Sequence, residues 1–270
     1  MTLLAIPDPY DFAVSTERFR AFGVDLANLW HEGGLHRVIA GKEVRIEPAP
    51  GGVDVTPFDE EIRSEVETLL GLPFDLHAFY AWVPGTPVLA EIAARLEGFR
   101  PPLAPDPFET LVTSITAQQV SLFSAFAIRS RMIERFGERA ALAYAFPTRE
   151  RLARATEDEL FATGFSRRKA EYVIGLARSD LDLHALAALE DDDEIRARIT
   201  SLRGLGPWTA EWFLARHLAR PRAWPVGDIA LQKAVRVLYG VSVEEMGPRL
   251  DPFQNLSAHY LLTGLRTAAP

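Results

Sequence analysis

A glycine-rich turn that ends in proline is the first feature of the sequence that could bind a ligand. A helix is predicted to end near Ser201, and residues 202–206 (LRGLG) form a tight turn before Pro207 opens a second helix at its preferred first position. Gly204 and Gly206 let the backbone adopt positive φ, and the free N–H groups of the second helix lie at its positive dipole end. Such a corner can hold a phosphate oxygen, although an ordinary turn between helices also needs glycine.

Asp228 is the first candidate for electrostatic or acid–base catalysis. It stands at the end of WPVGD, directly before the helix-forming IALQKAVRVL. An aspartate in this place is a favourable helix N-cap, so capping alone accounts for it as well as catalysis does. The two roles are compatible, because capping N–H groups help to keep a carboxylate charged.

Two residue pairs and one basic segment are further candidates. Trp208 and Trp212 are one helical turn apart, a spacing typical of a core as well as of a binding pocket. Gln118 and Gln119 interrupt an apolar stretch, either as functional groups or as its exposed side. The basic residues 167–169 stand at a predicted helix start, where positive charge opposes the dipole and indicates an anionic partner, unless these charges are simply solvated.

The first third of the chain predicts a small antiparallel sheet with helices around it. Residues 36–40, 43–47 and 53–56 are β-favouring runs separated by turn-forming residues. Apolar residues at three- and four-residue spacing predict helices over 16–30 and 59–70.

A proline-dense linker at 100–105 precedes a segment that reads as about eight short helices over residues 106–270. Asp106 is predicted to cap the first of them, with Glu109 at the third helical position. Thr156 and Glu159 predict a second capping box. We therefore predict an α+β fold with a mixed α/β domain over residues 1–83 and an all-helical domain over residues 84–270.

Composition excludes several kinds of chemistry. The 270 residues include no cysteine, so disulfides, thiolate zinc sites, cysteine nucleophiles and cysteine-held iron–sulfur clusters are excluded. No apolar run approaches the ~20 residues that span a bilayer, and the N-terminus has no basic signal segment, so we expect a cytoplasmic protein without a membrane partner.

The charge distribution leaves room for an anionic partner. The net charge is −8, but residues 1–100 hold 8 basic and 16 acidic side chains, which accounts for the whole excess. Residues 201–240 carry six basic side chains against two acidic ones. An acidic protein of this kind can still present a basic face to nucleic acid.

LRGLGPWTA followed by Gly-Asp resembles the helix-hairpin-helix, Gly/Pro-rich loop and aspartate signature of DNA base-excision glycosylases. Residues 106–121 (DPFETLVTSITAQQVS), residues 164–178 (GFSRRKAEYVIGLAR) and the mixed N-terminal domain are similar to the alkylation-repair branch, the AlkA-type DNA-3-methyladenine glycosylases II. The resemblance covers nearly the whole chain. It implies a monofunctional glycosylase that flips alkylated purines of the 3-methyladenine and 7-methylguanine type out of duplex DNA and hydrolyses the glycosidic bond. The alternative is a non-catalytic helix-hairpin-helix protein that binds DNA damage.

The resemblance also implies roles for individual residues. Asp228 is the catalytic carboxylate, and Gln119, with Gln118 beside it, enters the duplex as a wedge. The remaining roles are a base pocket of Trp208, Trp212 and Leu262, phosphate contacts from Gly204, Gly206, Arg203 and Thr209, and a structural monovalent cation held by the backbone carbonyls of Thr200, Leu202 and Gly204. No other cofactor is implied, and the expected partner of this monomer is double-stranded DNA with alkylated bases, which would associate it with the nucleoid.

The sequence departs from the family pattern at two places. Trp208 stands where bifunctional relatives carry a Schiff-base lysine, which implies hydrolysis without strand cleavage. Near the C-terminus, the expected Trp, Arg, Ser and Trp are replaced by Leu250, Gln254, Asn255 and Leu262. Two aromatic walls are thus missing or displaced, so we expect a wider, less aromatic pocket and a broader or shifted range of damaged bases.

Overall fold

The N-terminal part of the computed structural model, which describes residues 2–267, is a five-stranded antiparallel sheet. Its strands lie in the order β1, β5, β4, β3, β2. Their bounds are β1 (Thr2–Ala5), β2 (Leu29–His31), β3 (Gly34–Ile39), β4 (Lys42–Ala49) and β5 (Gly52–Thr56). Alternate residues of β4 and β5, such as Val44 and Val53, are fully buried, as a sheet with one covered face requires. The predicted strands and the α+β fold class are confirmed.

The helix predicted over residues 16–30 is wrong. The structure has α1 (Phe12–Ser15) and α2 (Arg18–Ala21), then an irregular segment that leads into β2. Gly23 has φ 115°, and the buried Asp25 carboxylate accepts hydrogen bonds from the backbone N–H groups of Ala27 and Asn28 at 3.0 and 3.4 Å. These local side-chain bonds replace helical ones and end the helix.

Helices make up the rest of the described chain. Their bounds are α3 (Arg63–Leu69), α4 (Leu76–Trp82), α5 (Pro87–Arg95), α6 (Pro107–Ala117), α7 (Leu122–Phe136), α8 (Arg149–Ala153), α9 (Glu157–Ala162), α10 (Arg167–Arg178), α11 (Leu183–Ala187), α12 (Asp192–Thr200), α13 (Pro207–Arg216), α14 (Ile229–Tyr239), α15 (Val243–Met246) and α16 (Gln254–Thr267). From residue 107 to 267 this gives eleven helices rather than about eight, because helices of four to six residues are too short to show a periodic pattern. Among these described helices, none is long and apolar enough to cross a bilayer.

Helix caps follow the sequence closely. Asp106, Ser166 and Asp228 cap α6, α10 and α14 through their side chains, and Thr156 with Glu159 forms a complete capping box. These caps confirm the predicted helix starts, since each depends on only a few adjacent residues.

The described residues form three hydrophobic cores. One joins the sheet to α3, and a second is built from α6 to α13. The third combines α4 and α5 with α14, α15 and α16, which return from the far end of the chain. Helix α14, which begins after Asp228, therefore packs in a different core from α12 and α13. The division of domains at residues 83 and 84 stays a prediction.

A buried ionic network connects the sheet to the helices. Arg37 of β3 donates to Glu109 of α6 at 2.6 Å, and Arg129 of α7 donates to the other oxygen of Glu109, also at 2.6 Å. Arg129 also pairs with Asp25 at 3.2 Å. Burial alone would raise the pKa of Glu109, but the two guanidinium groups hold this pKa at about 2. Glu109 therefore does not complete the capping box predicted for it, because its side chain serves this network instead.

Candidate functional site

The turn between α12 and α13 is a helical hairpin in which Gly204 is required. Its φ is 89°, and a β-carbon there would lie 2.2 Å from the ring of Tyr172. Gly206 differs from the prediction, because its φ of −97° is accessible to any residue. A β-carbon on Gly206 would meet only open space, so this glycine leaves the start of α13 open to a ligand.

The first turn of α13 presents free hydrogen-bond donors. Gly206 caps the helix without a side-chain bond, and within residues 2–267 the backbone N–H groups of Trp208 and Thr209 have no acceptor. Thr209 as a whole residue is 1% exposed, so its hydroxyl is not open to an anion and its N–H group is nearly covered as well. Arg203 is exposed beside the hairpin and pairs with Glu171 at 2.6 Å. A helix start with free donors suits a phosphate, and the phosphate contact itself stays a prediction.

The two adjacent glutamines have different surroundings. The Gln118 side-chain amide donates to the Gly204 carbonyl at 3.0 Å and lies 3.5 Å from the Thr209 hydroxyl. It therefore fastens the end of α6 to the hairpin, and Gln118 does not lie on an exposed side, which was one of the two alternatives that the sequence left open for the pair. Gln119 is exposed and has φ 54°, a left-handed conformation that is unusual for a residue other than glycine. Exposed apolar residues follow it, including Phe123 at 64%.

Asp228 is anchored through only one carboxylate oxygen. Its Oδ1 accepts hydrogen bonds from the backbone N–H groups of Ala230 and Leu231 at 2.9 and 3.0 Å, which caps α14. Within the described chain its Oδ2 has no hydrogen-bond partner. A β-carbon on Gly227 would lie 3.5 Å from the Trp208 side chain, so the backbone before Asp228 packs against that indole. The carboxylate is thus held by the first N–H groups of α14 with one oxygen available, and the backbone just before it packs against Trp208.

The two tryptophans lie next to each other, and Trp212 lines a cavity whose lining does not include Trp208. Their ring centroids are 6.2 Å apart at 35°, and both residues are half-buried. Trp212 lines the cavity together with Phe126, Arg18 and Arg216. Leu262, predicted as a third pocket residue, packs against the core of α4, α5 and α14 to α16 and is not part of this lining.

Positive charge at this cavity was not foreseen from the sequence. Burial, and then the neighbouring Arg18, lower the pKa of Arg216 to about 9, while the nearby Asp228 carboxylate acts in the opposite direction. Burial followed by Arg266 lowers the pKa of Arg18 to about 10. Arg216 follows Trp212 by one helical turn, which is the sequence signal that could have placed it in the cavity. Arg18 has no comparable signal, because it reaches the cavity from the irregular N-terminal segment.

The excess of basic residues in 201–240 does not form one basic face. Arg216 faces the cavity, and three others pair with carboxylates, namely Arg203 with Glu171, Arg220 with Asp192 and Arg222 with Asp251. Lys233 and Arg236 are exposed on α14, as expected for the solvated side of a helix.

The predicted cation site can be compared with the hairpin carbonyls. The Leu202 carbonyl accepts from the Leu205 N–H at 3.1 Å, and the Gly204 carbonyl accepts from Gln118. Two of the three predicted carbonyl ligands, those of Leu202 and Gly204, therefore already accept a hydrogen bond from the protein. The third predicted ligand is the Thr200 carbonyl. The monovalent cation stays a prediction. No cluster of three or more His, Asp or Glu side chains suited to a metal occurs in residues 2–267.

Known proteins share this fold and this hairpin. Residues 112–247 match the family model of the HhH-GPD superfamily base excision DNA repair protein. The DNA-3-methyladenine glycosylase of Bacillus subtilis (strain 168) is 32% identical over 187 residues, which are 66% of this chain and 61% of that protein. The alignments with the first curated relatives span 46–61% of their length.

Two solved structures extend the likeness to the N-terminal sheet. The 3-methyladenine DNA-glycosylase from Archaeoglobus fulgidus has a TM-score of 0.88 and 23% identity over 100% of both chains. The Clostridium acetobutylicum 8-oxoguanine glycosylase/lyase, in complex with double-stranded DNA, has a TM-score of 0.79 and 20% identity over 96% of this chain and 92% of that one. At these identities the likeness concerns the fold alone.

The sheet, the helical hairpin and the capped aspartate together define a helix-hairpin-helix protein with a candidate active site beside the hairpin. The family match then makes the assignment specific: the chain belongs to the HhH-GPD superfamily of base excision DNA repair proteins.

Proposed function

We propose that the protein is a monofunctional DNA glycosylase that flips alkylated purines out of duplex DNA and hydrolyses their N-glycosidic bonds, leaving abasic sites. The observation that carries the proposal is the Asp228 carboxylate, with one oxygen anchored by the N–H groups of α14 and the other without a protein partner in the described chain. The relatives named for 3-methyladenine support the choice of substrate class.

The chemistry follows from the charge that develops on the sugar. Cleavage of an N-glycosidic bond builds positive charge on the deoxyribose, and a fixed carboxylate beside it stabilises that charge. The free Oδ2 of Asp228 can also orient or deprotonate the attacking water. Because Oδ1 is held by two backbone N–H groups, the carboxylate needs little reorganisation when the substrate arrives.

The surrounding residues would position the DNA. The free N–H group of Trp208 at the start of α13 would hold a backbone phosphate, a contact that carries no sequence information and suits a protein that scans DNA. The exposed Gln119 would fill the gap left by the extruded base, and its amide can hydrogen-bond the orphaned partner base. Trp208 and Trp212 would stack on the extruded base.

Hydrolysis without strand cleavage is the finer part of the proposal. A lyase needs an amine to form a Schiff base, and the hairpin helix carries Trp208 where such a lysine would stand. Lys169 is the half-buried lysine among the three in the chain, and its ammonium group donates to the Thr116 carbonyl at 2.9 Å. Lys42 and Lys233 are exposed, on the sheet and on α14.

The primary test compares the wild type with Asp228→Asn for base release from methylated duplex DNA, with duplex binding measured in parallel. Asparagine caps helices as well as aspartate does, so the variant should fold and bind while losing release. Release by the wild type alone supports the proposal. Binding without release by both proteins would favour the alternative, a non-catalytic protein that binds DNA damage.

A borohydride trapping experiment tests the absence of lyase activity. Borohydride reduces a Schiff base to a stable covalent link between protein and DNA, and we expect no such product from the wild type. A trapped complex would contradict the monofunctional mechanism. Its loss in Lys169→Gln, but not in Lys233→Gln, would identify the amine.

A further inference from the structure

The segment that follows Gln119 exposes large apolar side chains to solvent. Val120, Leu122 and Phe123 are 39%, 45% and 64% exposed. Isolated exposed apolar residues are common on protein surfaces, but neighbouring ones that form a patch mark a binding surface. The proposed function assigns a role to Gln119 and none to this apolar segment, residues 120–123.

The Phe123 ring is supported by other aromatic rings. Its centroid lies 5.6 Å from that of Phe22, edge to face at 77°, a favourable aromatic geometry. Phe22 in turn lies 5.5 Å from the buried Phe126 ring, and the Arg266 guanidinium lies 5.3 Å from the Phe22 ring. The Ser121 cap fixes the start of α7, where Phe123 is the second residue. The exposed ring is therefore held in place on a packed base.

Contacts of the protein place the apolar segment beside the hairpin. Gln118, two residues before the segment, donates to the Gly204 carbonyl at 3.0 Å. Leu122 lines the same cavity as Trp212. The Trp212 ring lies 6.2 Å from that of Trp208, whose free N–H group is at the start of α13. The segment thus adjoins the helix start that we propose to hold a DNA phosphate.

Duplex DNA is the partner that this position and the local charge favour. Residues 110–128 contain no Asp or Glu, although the chain has 37 acidic side chains, so this stretch places no like charge against DNA phosphates. The Lys169 ammonium group reaches the Thr116 carbonyl at 2.9 Å and adds positive charge at the end of α6. The apolar surface of duplex DNA lies between its stacked bases, and apolar side chains bind there by insertion.

We propose that Phe123 inserts between stacked bases close to the damaged nucleotide and acts as a second wedge beside Gln119. The proposal rests on the proposed function and adds a positioning residue to it. Four residues of chain span at most ~14 Å, and successive bases are ~3.4 Å apart, so Phe123 reaches a base step within a few base pairs of Gln119. Opening that step kinks the duplex and lowers the work of extruding the damaged base.

Phe123 would supply the stacking surface that Gln119 lacks. A glutamine amide can hydrogen-bond the orphaned base but offers little surface to stack on, whereas a phenyl ring stacks on any base. Replacing a residue that stacks on a base by alanine typically weakens binding by roughly 5- to 150-fold. We therefore expect Phe123→Ala to slow base release from duplex DNA by about tenfold.

A fluorescent base tests the insertion without requiring catalysis. 2-Aminopurine brightens when it is unstacked, and it is placed in turn at each of the few positions on either side of a tetrahydrofuran abasic analogue in duplex DNA. With saturating wild-type protein, one position should brighten. With Phe123→Ala most of this rise should be lost, and Phe123→Leu should retain it, since leucine is also an effective wedge. Phe161→Ala is the matched control, because Phe161 is 49% exposed on α9, packs against Arg167 and lies outside the segment.

Base release from two duplexes separates insertion from a merely structural role. Each duplex holds one 7-methylguanine, paired with cytosine in the first and mispaired in the second. Phe123→Ala should slow release about tenfold from the paired lesion and less than about threefold from the mispaired one, because a mispaired base costs less to extrude. A variant that only distorted the site would slow release from both duplexes equally.

The outcomes distinguish this proposal from the proposed function. An equal rise in 2-aminopurine fluorescence with the wild type and Phe123→Ala overturns the insertion and leaves the glycosylase standing, as do equal losses of release from the two duplexes. Dimerisation of the wild type in sedimentation that Phe123→Ala abolishes also overturns it, and assigns the apolar segment to a second copy of this chain. A Phe123-dependent rise from a wild type that releases no base supports insertion and refutes the glycosylase.

Discussion

Glu109→Gln should remove the carboxylate that connects the sheet to the helices. In the folded protein Arg37 and Arg129 hold the pKa of Glu109 at about 2, compared with an ordinary value of 4.5. Each unit of difference corresponds to about 1.4 kcal/mol, so the ionised carboxylate contributes about 3 kcal/mol to the free energy of unfolding at neutral pH. Removing one partner of a buried ion pair typically costs ~3–5 kcal/mol, which agrees with this value.

The contribution depends on pH in a defined direction. Because the folded-state pKa is lowered, the stabilisation is complete above the ordinary pKa of 4.5 and is lost as the pH falls toward 2. The difference in stability between the wild type and Glu109→Gln should therefore be largest from about pH 6 upward and shrink between about pH 5 and pH 3.

Urea unfolding followed by tryptophan fluorescence, at several pH values, measures this difference. The matched control is Glu60→Gln, which breaks an exposed pair with Arg63 and should change stability little at any pH. A loss below about 1 kcal/mol for Glu109→Gln at pH 7 would refute the reasoning, since that is the range of surface pairs. A difference that stays constant down to pH 3 would refute it as well.

Three further substitutions test the hairpin, the cap and the wedge. Gly204→Ala should lower the free energy of unfolding by about 2 kcal/mol or more, because the φ of Gly204 is positive and the Tyr172 ring occupies the space of a β-carbon. Gly206→Ala should fold normally, and equal stability of the two variants in urea unfolding would contradict this prediction. Asp228→Ala should lose about 1 kcal/mol of stability through the missing cap, whereas Asp228→Asn should not. Equal stability of the two variants in thermal unfolding would contradict the cap assignment. Gln119→Gly should gain up to about 1 kcal/mol by relieving the left-handed backbone and yet slow base release from duplex DNA; release at the wild-type rate would exclude Gln119 as a wedge.

Features set by neighbouring residues could be read from the sequence. The cap at Asp106, the hairpin around Gly204 and the N-cap role of Asp228 each depend on a few adjacent positions, and the structure confirms all three. The contacts of Glu109 could not be read in this way. Its capping position was clear, but its side chain pairs with Arg37, which lies 72 residues earlier in the chain.

The cavity shows the same limit on a larger scale. Arg18 and Trp212 come from opposite ends of the sequence and share a surface only after the sheet has packed onto the helices. Residues 16–30 were misread as one helix because the apolar spacing was present while Asp25, through its own side-chain bonds, stops the helix. Periodicity does not report such competition between side chain and backbone.

The three-core arrangement has a consequence for the order in which the site is completed. The core of α6 to α13 involves chain only up to Ala223, so the hairpin can be fully packed while later residues are still being synthesised. Asp228 caps α14, and the hydrophobic core in which α14 packs is incomplete until α16 has left the ribosome. A nascent or truncated chain without α16 would therefore carry a formed hairpin and an α14 without its main packing partner, so the position of Asp228 relative to the hairpin would not yet be fixed. The hairpin proposed to hold a DNA phosphate would thus form before the carboxylate proposed to act on the glycosidic bond is in place.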